Sequence, residues 1–258
     1  MLFSVLDIET VPDLKLWQPP ADKPDEFPPP AACRVVAWSQ LNIKLNRPSE
    51  LYTPVLFHGA SSNDESDCTE RQIIEAWSDL AVEEIPTFVT WNGRGFDLPV
   101  LMMRALYHGL PMPWYYSKEG ANMRYRYSDT GHLDLMDYLA DFGSSRKCKL
   151  DLMAKLCGLP GKEGEVHGSN ITEQLKEGRS AEILHYCKSD VIQTALIFLK
   201  TRFHLGKITF EEFEKSAESF KIFNHDKCDL KLKTYSNIDW DRYLFKGEKE
   251  KEMIGNEV

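Results

Sequence analysis

Three short patterns hold residues able to do chemistry: Asp7-x-Glu9, Asn92-x-x-x-Phe96-Asp97 and Tyr186-x-x-x-Asp190. Together they supply four carboxylates and a phenol. Carboxylates gathered at one spot repel one another and raise each other's pKa values. Divalent cations resolve the repulsion, and an all-oxygen donor set without His or Cys suits Mg2+ or Mn2+, not Zn2+. A pair of such ions about 3.5–4 Å apart can activate water and stabilise the leaving oxygen of a phosphodiester. The patterns differ in weight. By composition a chain of this length holds about 1.5 Asp-x-Glu pairs, about 0.7 Tyr-x-x-x-Asp and about 0.03 Asn-x-x-x-Phe-Asp. The second pattern is therefore the informative one.

The elements that must position these residues form an α/β order. Residues 1–8 are apolar enough for a buried strand, which Val11-Pro12 ends. An extended Asp-x-Glu places both carboxylates on one face. Six prolines make 18–33 an irregular loop. Arg34–Ile43 and Leu51–His58 read as strands joined by a turn at Asn46–Ser49, followed by a polar loop over 59–68. Thr69–Val82 has helical period, with Ile73, Ile74, Trp77 and Leu80 inward and Glu70, Glu75, Asp79 and Glu83 on a solvated face. Thr87–Trp91 is another buried strand, after which Asp97 can cap a helix over Leu98–Tyr107. Residues 109–131 are loop-like, and His132–Phe142 and Leu150–Cys157 are helical at least in part. Ser180 caps a long helix through Arg202, and Thr209 with Glu212 forms a capping box for a helix to about Phe223. The last thirteen residues read as a frayed tail.

The three patterns, in this order, resemble the Exo I, Exo II and Exo III motifs of the DEDDy-type 3′–5′ exonucleases in the DnaQ-like superfamily. The surrounding stretches FSVLDIETVPD, FVTWNGRGFDLPVL, HLDLMDYL, LCGLPGK and YCKSDV are similar to the exonucleases related to the proofreading domain of family B DNA polymerases. The resemblance spans residues 1 to about 205. It implies a ribonuclease-H-like fold with a mixed central sheet flanked by helices, over residues 1–205, with 206–258 as a helical appendage and charged tail. It implies that Asp7, Glu9, Asp97 and Asp190 bind two Mg2+ or Mn2+ ions, Asp7 bridging them, and that Tyr186 orients the attacking water. Asn92 and Phe96 match the positions that contact the terminal nucleotide. The implied activity is metal-dependent 3′–5′ hydrolysis of single-stranded nucleic acid, DNA favoured over RNA, releasing nucleoside 5′-monophosphates. The alternative is a non-catalytic nucleic-acid-binding module on the same fold.

HYCKSD also carries His185 five residues before Asp190, the spacing of the histidine variant of Exo III. At 100° per residue Tyr186 lies about 40° from Asp190 and His185 about 140°, so a helix already running from Ala181 selects Tyr186. Each sharp reading has a plainer one beside it. Asp7 and Glu9 can be an ordinary strand end, Asp97 only a cap, and Tyr186 a buried amphipathic ring. His132, Asp134 and Asp137 read as structural, and Gly158–Lys162 as a helix stop, not a phosphate loop. Arg124, Arg126, Arg146, Lys147 and Lys149, interleaved with Tyr125 and Tyr127, fit either a phosphate-and-base groove or a solvated loop.

The formal net charge of −9 argues against a broad basic face for duplex binding. Residues 59–86 carry −7 of it, and two bound divalent ions would offset the rest. The six cysteines contain no Cys-x-x-Cys pair and read as reduced, mostly buried thiols. No apolar run approaches a membrane span, and no basic segment precedes the first apolar stretch. A signal peptide is not expected, and a cytoplasmic location is.

Overall fold

Alternation along the first strand sets the architecture. In the computed structural model, which describes residues 1–62, 69–83, 85–117, 122–127, 130–162, 165–227 and 233–246, strand β1 runs Leu2–Pro12. Phe3 and Val5 enter one core, and Leu6 and Ile8 enter another on the opposite face. Period two then places Asp7 and Glu9 in the row of Phe3 and Val5. Strands β2 (Cys33–Asn46) and β3 (Leu51–Ser61) follow. Then come helix α1 (Glu70–Glu83), strand β4 (Thr87–Thr90), helices α2 (Asp97–Tyr107) and α3 (Pro113–Tyr116), and strand β5 (His132–Asp134). Helices α4 (Leu135–Leu139), α5 (Leu150–Leu156), α6 (Ile171–Lys176), α7 (Ser180–His204), α8 (Phe210–Lys227), α9 (Lys233–Ser236) and α10 (Trp240–Tyr243) complete the chain.

The sheet order is β3-β2-β1-β4-β5. β1, β4 and β5 are parallel, and β2 is antiparallel to both β1 and β3. This is the mixed, helix-flanked sheet of the ribonuclease-H-like fold. α1 and α2 cover one face through Ile73, Trp77, Leu98 and Leu101. α7 crosses the other, with 191–199 entirely buried, as expected of a helix apolar on all sides. The described residues beyond 205 join this second core: Phe213, Phe220, Tyr235 and Tyr243 lie in the cluster of Phe3 and Phe198. Thr209 and Glu212 form the expected capping box, through Thr209 N–H to Glu212 Oε2 at 2.7 Å and Glu212 N–H to Thr209 Oγ1 at 3.3 Å.

Several expectations are corrected. β1 extends through Pro12, because β2 pairs with it along its whole length across a bulge at Glu9/Thr10. β3 continues to Ser61. The 132–142 segment opens as a strand on β4 and becomes helical only at Leu135. Ser180 is the first helical residue of α7, not its cap. Asp97 likewise opens α2 without capping it. Glu70 is not solvated: it is buried, takes Arg104 Nη2 at 2.6 Å, and accepts the Val35 N–H at 2.8 Å. Arg104 also reaches Asp13 at 3.1 Å and the Ala31 carbonyl at 3.5 Å, tying the end of β1 and the proline-rich loop to α2. Breaking such a buried pair costs about 3–5 kcal/mol. Cys33 and Cys187 are buried thiols and Cys148 and Cys157 half-buried ones. The tail at 247–258, the loop at 63–68, Cys68 and Cys228 lie outside the described residues. No helix among the described residues is long and apolar enough to cross a membrane.

Candidate metal and active centre

β4 stops pairing with β1 at Val5–Val89, so the β1 edge is open beyond that point. Asp7 and Glu9 stand there, facing α7. Asp190 projects from α7 toward them, and carboxylate oxygens of Asp7, Glu9 and Asp190 all lie within 4.8 Å of one another. Asp97, at the start of α2, lies outside that trio, though its charge acts on Asp7 and Glu9; its Oδ1 accepts the Ile8 N–H of β1 at 3.2 Å. The Asp97 side chain thus bonds β1 as well as its own backbone N–H, and it is 4% exposed. Asp7 Oδ2 is buried with no hydrogen-bond partner. A buried carboxylate oxygen without a donor is costly, and an oxygen-seeking cation is the partner this donor set suits.

Electrostatics agree. Burial, then the charges of Glu9, Asp97 and Asp190, push Asp7 well above the ordinary carboxylate range. Burial, then Asp190 and Asp97, do the same to Glu9, while Lys162 opposes them. Burial raises Asp97 to about 7, against the backbone N–H groups that favour its charge. Burial raises Asp190 to about 6, against Lys162 and the Tyr186 hydroxyl. Four native carboxyls therefore keep protons that the unfolded chain has already released. Between about pH 4 and pH 7 the native state binds more protons, so this group's contribution to stability falls as pH rises. In chelator, the melting temperature should drop from pH 5 to pH 8, and the drop should be smaller in Asp7→Asn. Added Mn2+ should recover stability at pH 8. Equal slopes in both proteins would remove the carboxylate repulsion from the account.

Tyr186 lies one turn before Asp190, as the spacing requires, and its hydroxyl donates to the Asp190 carboxylate. Burial and the nearby carboxylates hold its pKa above the ordinary phenol value, so it remains a donor. Its ring packs with Val11, Val36 and Ile171. His185 is half-buried on the flank of α7. Asn92 is held at φ +69, a left-handed conformation that Asn tolerates. Its carbonyl accepts the Gly95 and Phe96 N–H groups. Gly93 is required beside it, because a Cβ there would sit 2.5 Å from the Thr90 side chain. Phe96 is half-buried and meets Phe27, an exposed ring of the proline-rich loop, at 5.6 Å between centroids.

Three supporting residues escape the motifs. Asp134 holds the 92–96 turn, with Oδ1 accepting the Asn92 N–H and Oδ2 the Arg94 N–H, each at 3.0 Å. Cys187 donates from Sγ to the Asp7 carbonyl at 3.4 Å, fixing α7 to β1 under the carboxylates. Lys162 brings an ammonium to Glu9 and Asp190 and lies 5.6 Å from the Tyr186 ring. Its backbone is clamped: Gly161 N–H donates to Gln193 Oε1 of α7 at 2.7 Å, and Lys162 N–H to Asp151 Oδ1 of α5 at 2.7 Å. The GLPGK segment does stop α5, but it also delivers this lysine. His132 and Asp137 are both engaged by protein partners. His132 Nε2 meets Thr90 Oγ1 at 2.8 Å, and burial keeps the ring neutral, with its pKa lowered to about 3. Asp137 is paired with Arg126 and Lys147.

The family B DNA polymerase of the hyperthermophilic archaeon Pyrobaculum calidifontis is similar in structure, with a TM-score of 0.53 at 18% identity over 79% of this chain. The match covers 24% of the polymerase, so the likeness is one of fold. No curated protein sequence matches the chain. A sequence family matches residues 25–238, beginning after Asp7 and Glu9, which the central strand nonetheless brings into the site. The chain belongs to that family, described as "Predicted 3'-5' exonuclease related to the exonuclease domain of PolB".

Proposed function

We propose that this chain is a metal-dependent 3′–5′ exonuclease acting on single-stranded nucleic acid, DNA before RNA, and releasing nucleoside 5′-monophosphates. The observation that carries this reading is the convergence of Asp7, Glu9 and Asp190, with Asp7 Oδ2 buried and without a partner. The donors are all hard oxygens, which fits two Mg2+ or Mn2+ ions that Asp7, Glu9, Asp97 and Asp190 would hold. Bound there, the ions supply Lewis acidity that lowers the pKa of water and stabilises charge on a leaving oxygen.

The chain's own residues do the rest. The Tyr186 hydroxyl, anchored on Asp190, orients the attacking water. Asp134 and Gly93 shape the turn that presents Asn92 and Phe96 to the terminal nucleotide. Phe96 and Phe27 offer ring faces to its base. Lys162 offers positive charge to a substrate phosphate and favours ionised Glu9 and Asp190. Lys162→Ala should lower kcat/KM by about 10–100-fold, the worth of one charged hydrogen bond. Because Lys162 lowers the pKa of Glu9 and Asp190, the acidic limb of the pH–rate profile should move to higher pH. A variant with unchanged rate and profile would assign Lys162 to packing alone.

A time course with matched DNA and RNA strands, labelled at the 5′ end, tests the activity. Stepwise shortening from the 3′ end, dependent on Mg2+ or Mn2+ and stopped by chelator, supports it. Strands bound but never shortened would favour the binding module, and internal cuts would favour an endonuclease.

A further inference from the structure

A cluster of exposed aromatic rings stands next to the candidate site without a role in it. Tyr125 and Tyr127 are 54% and 61% exposed. Their centroids are 5.9 Å apart, and Tyr127 continues to Phe142 at 4.8 Å. Structural rings are normally covered; Tyr125 and Tyr127 are exposed on a built support, with half-buried Phe142 beside them. The ends of the carrying loop meet where a Cβ on Gly131 would lie 2.7 Å from the Asn122 carbonyl. Arg126 grips Asp137 through two hydrogen bonds of 2.7 Å and holds the Phe142 carbonyl at 2.8 Å. Lys147 adds a third bond to Asp137 at 3.0 Å. Phe142 itself is held at φ +53, a conformation that bulky residues rarely adopt. The cluster is also continuous with the site. Arg94, in the turn that presents Asn92 and Phe96, donates to the Arg124 carbonyl at 3.3 Å.

We propose that Tyr125, Tyr127 and Phe142 form a second binding site for the substrate: a stacking platform for bases of a single strand upstream of the end being hydrolysed. Arg146, Lys147 and Lys149 are exposed on the segment that follows Phe142 and supply charge for the backbone. Exposed rings beside cations bind single strands with little sequence preference, because every base has a π face. A duplex cannot offer unstacked bases, so the platform selects single strands. This inference rests on the exonuclease reading for the direction of the strand, but its binding chemistry is testable alone.

The test compares the protein with Tyr125→Ala/Tyr127→Ala and with Tyr125→Phe/Tyr127→Phe. Binding of a 5′-labelled thymidine dodecamer is read by fluorescence anisotropy in the Asp7→Asn background, and hydrolysis of dodecamer and trimer is read in the otherwise native protein. Thermal melting checks that the exposed substitutions leave the fold intact. The alanine pair should weaken dodecamer binding on the order of 10–100-fold, with trimer hydrolysis unchanged. The phenylalanine pair should keep wild-type affinity, and a dodecamer with abasic upstream positions should bind the wild-type platform as weakly as the alanine pair binds the normal strand. Equal dodecamer affinity for the alanine pair and the parent protein overturns the platform, even if hydrolysis proceeds. Selective weakening with no hydrolysis by any variant keeps the platform and overturns the nuclease reading.

Discussion

Asp7→Ala should abolish hydrolysis while the chain stays folded. Asp7 is the residue whose carboxyl feels Glu9, Asp97 and Asp190 together, and its Oδ2 is buried with no protein donor. Its one side-chain hydrogen bond is with the Cys187 thiol, a weak donor, so a methyl group forgoes little of the fold. Its removal takes away one charge from a repelling group, so stability in chelator should hold or rise, most clearly at pH 8. The loss of activity should be on the order of 10³-fold or more, the rate equivalent of several kcal/mol of transition-state stabilisation. Mn2+ affinity, followed by calorimetry, should fall in parallel, and Asp190→Ala should behave alike. A folded Asp7→Ala protein with near wild-type rate would end the two-metal assignment.

Tyr186→Phe should lower kcat by about 10–10³-fold, the usual worth of one positioning or proton-transfer group. Its ring packs with Val11, Val36 and Ile171, and phenylalanine preserves that packing. Only the hydroxyl donated to Asp190 is lost. KM should change little, because in the proposed mechanism the hydroxyl addresses the water and not the strand. His185→Ala should leave kcat near wild type, and the pH–rate profile should show no step near ~6.5 from a catalytic imidazole. α7 is established at Ser180, so Tyr186 and Asp190 share a face and His185 is left on the flank. An inactive His185→Ala beside an active Tyr186→Phe would reverse the assignment.

Legibility followed the range of the interaction. Local periodicity was enough for β1, α1, α2, α7 and the Thr209–Glu212 capping box, because alternation and capping act within a few residues. It was right only in part at 132–142, where Leu135–Leu139 is helical but β4 offers an open edge that captures His132–Asp134 as a strand. It failed at Glu70, which helical period places outside but Arg104, 34 residues on, draws into the core. The three motifs were legible because they are short and composition alone makes one of them rare. The supporting residues were not, since Lys162, Asp134 and Cys187 reach the site through partners distant in sequence.

The sequence by itself determined which side chains could bind oxygen-seeking cations, the α/β order that carries them, and the helical phase that puts Tyr186 with Asp190. These depend on residue type and local geometry. Only the tertiary structure decided that carboxylates 183 residues apart in the chain, from Asp7 to Asp190, come within 4.8 Å. It also decided that Asp97 bonds β1 as well as its own backbone N–H, and that Lys162 stands beside the group. The reason is that convergence follows from strand order. β1 is central, β4 ends early, and α7 crosses the face that Asp7 and Glu9 share, and those pairings arise from burying two apolar faces at once.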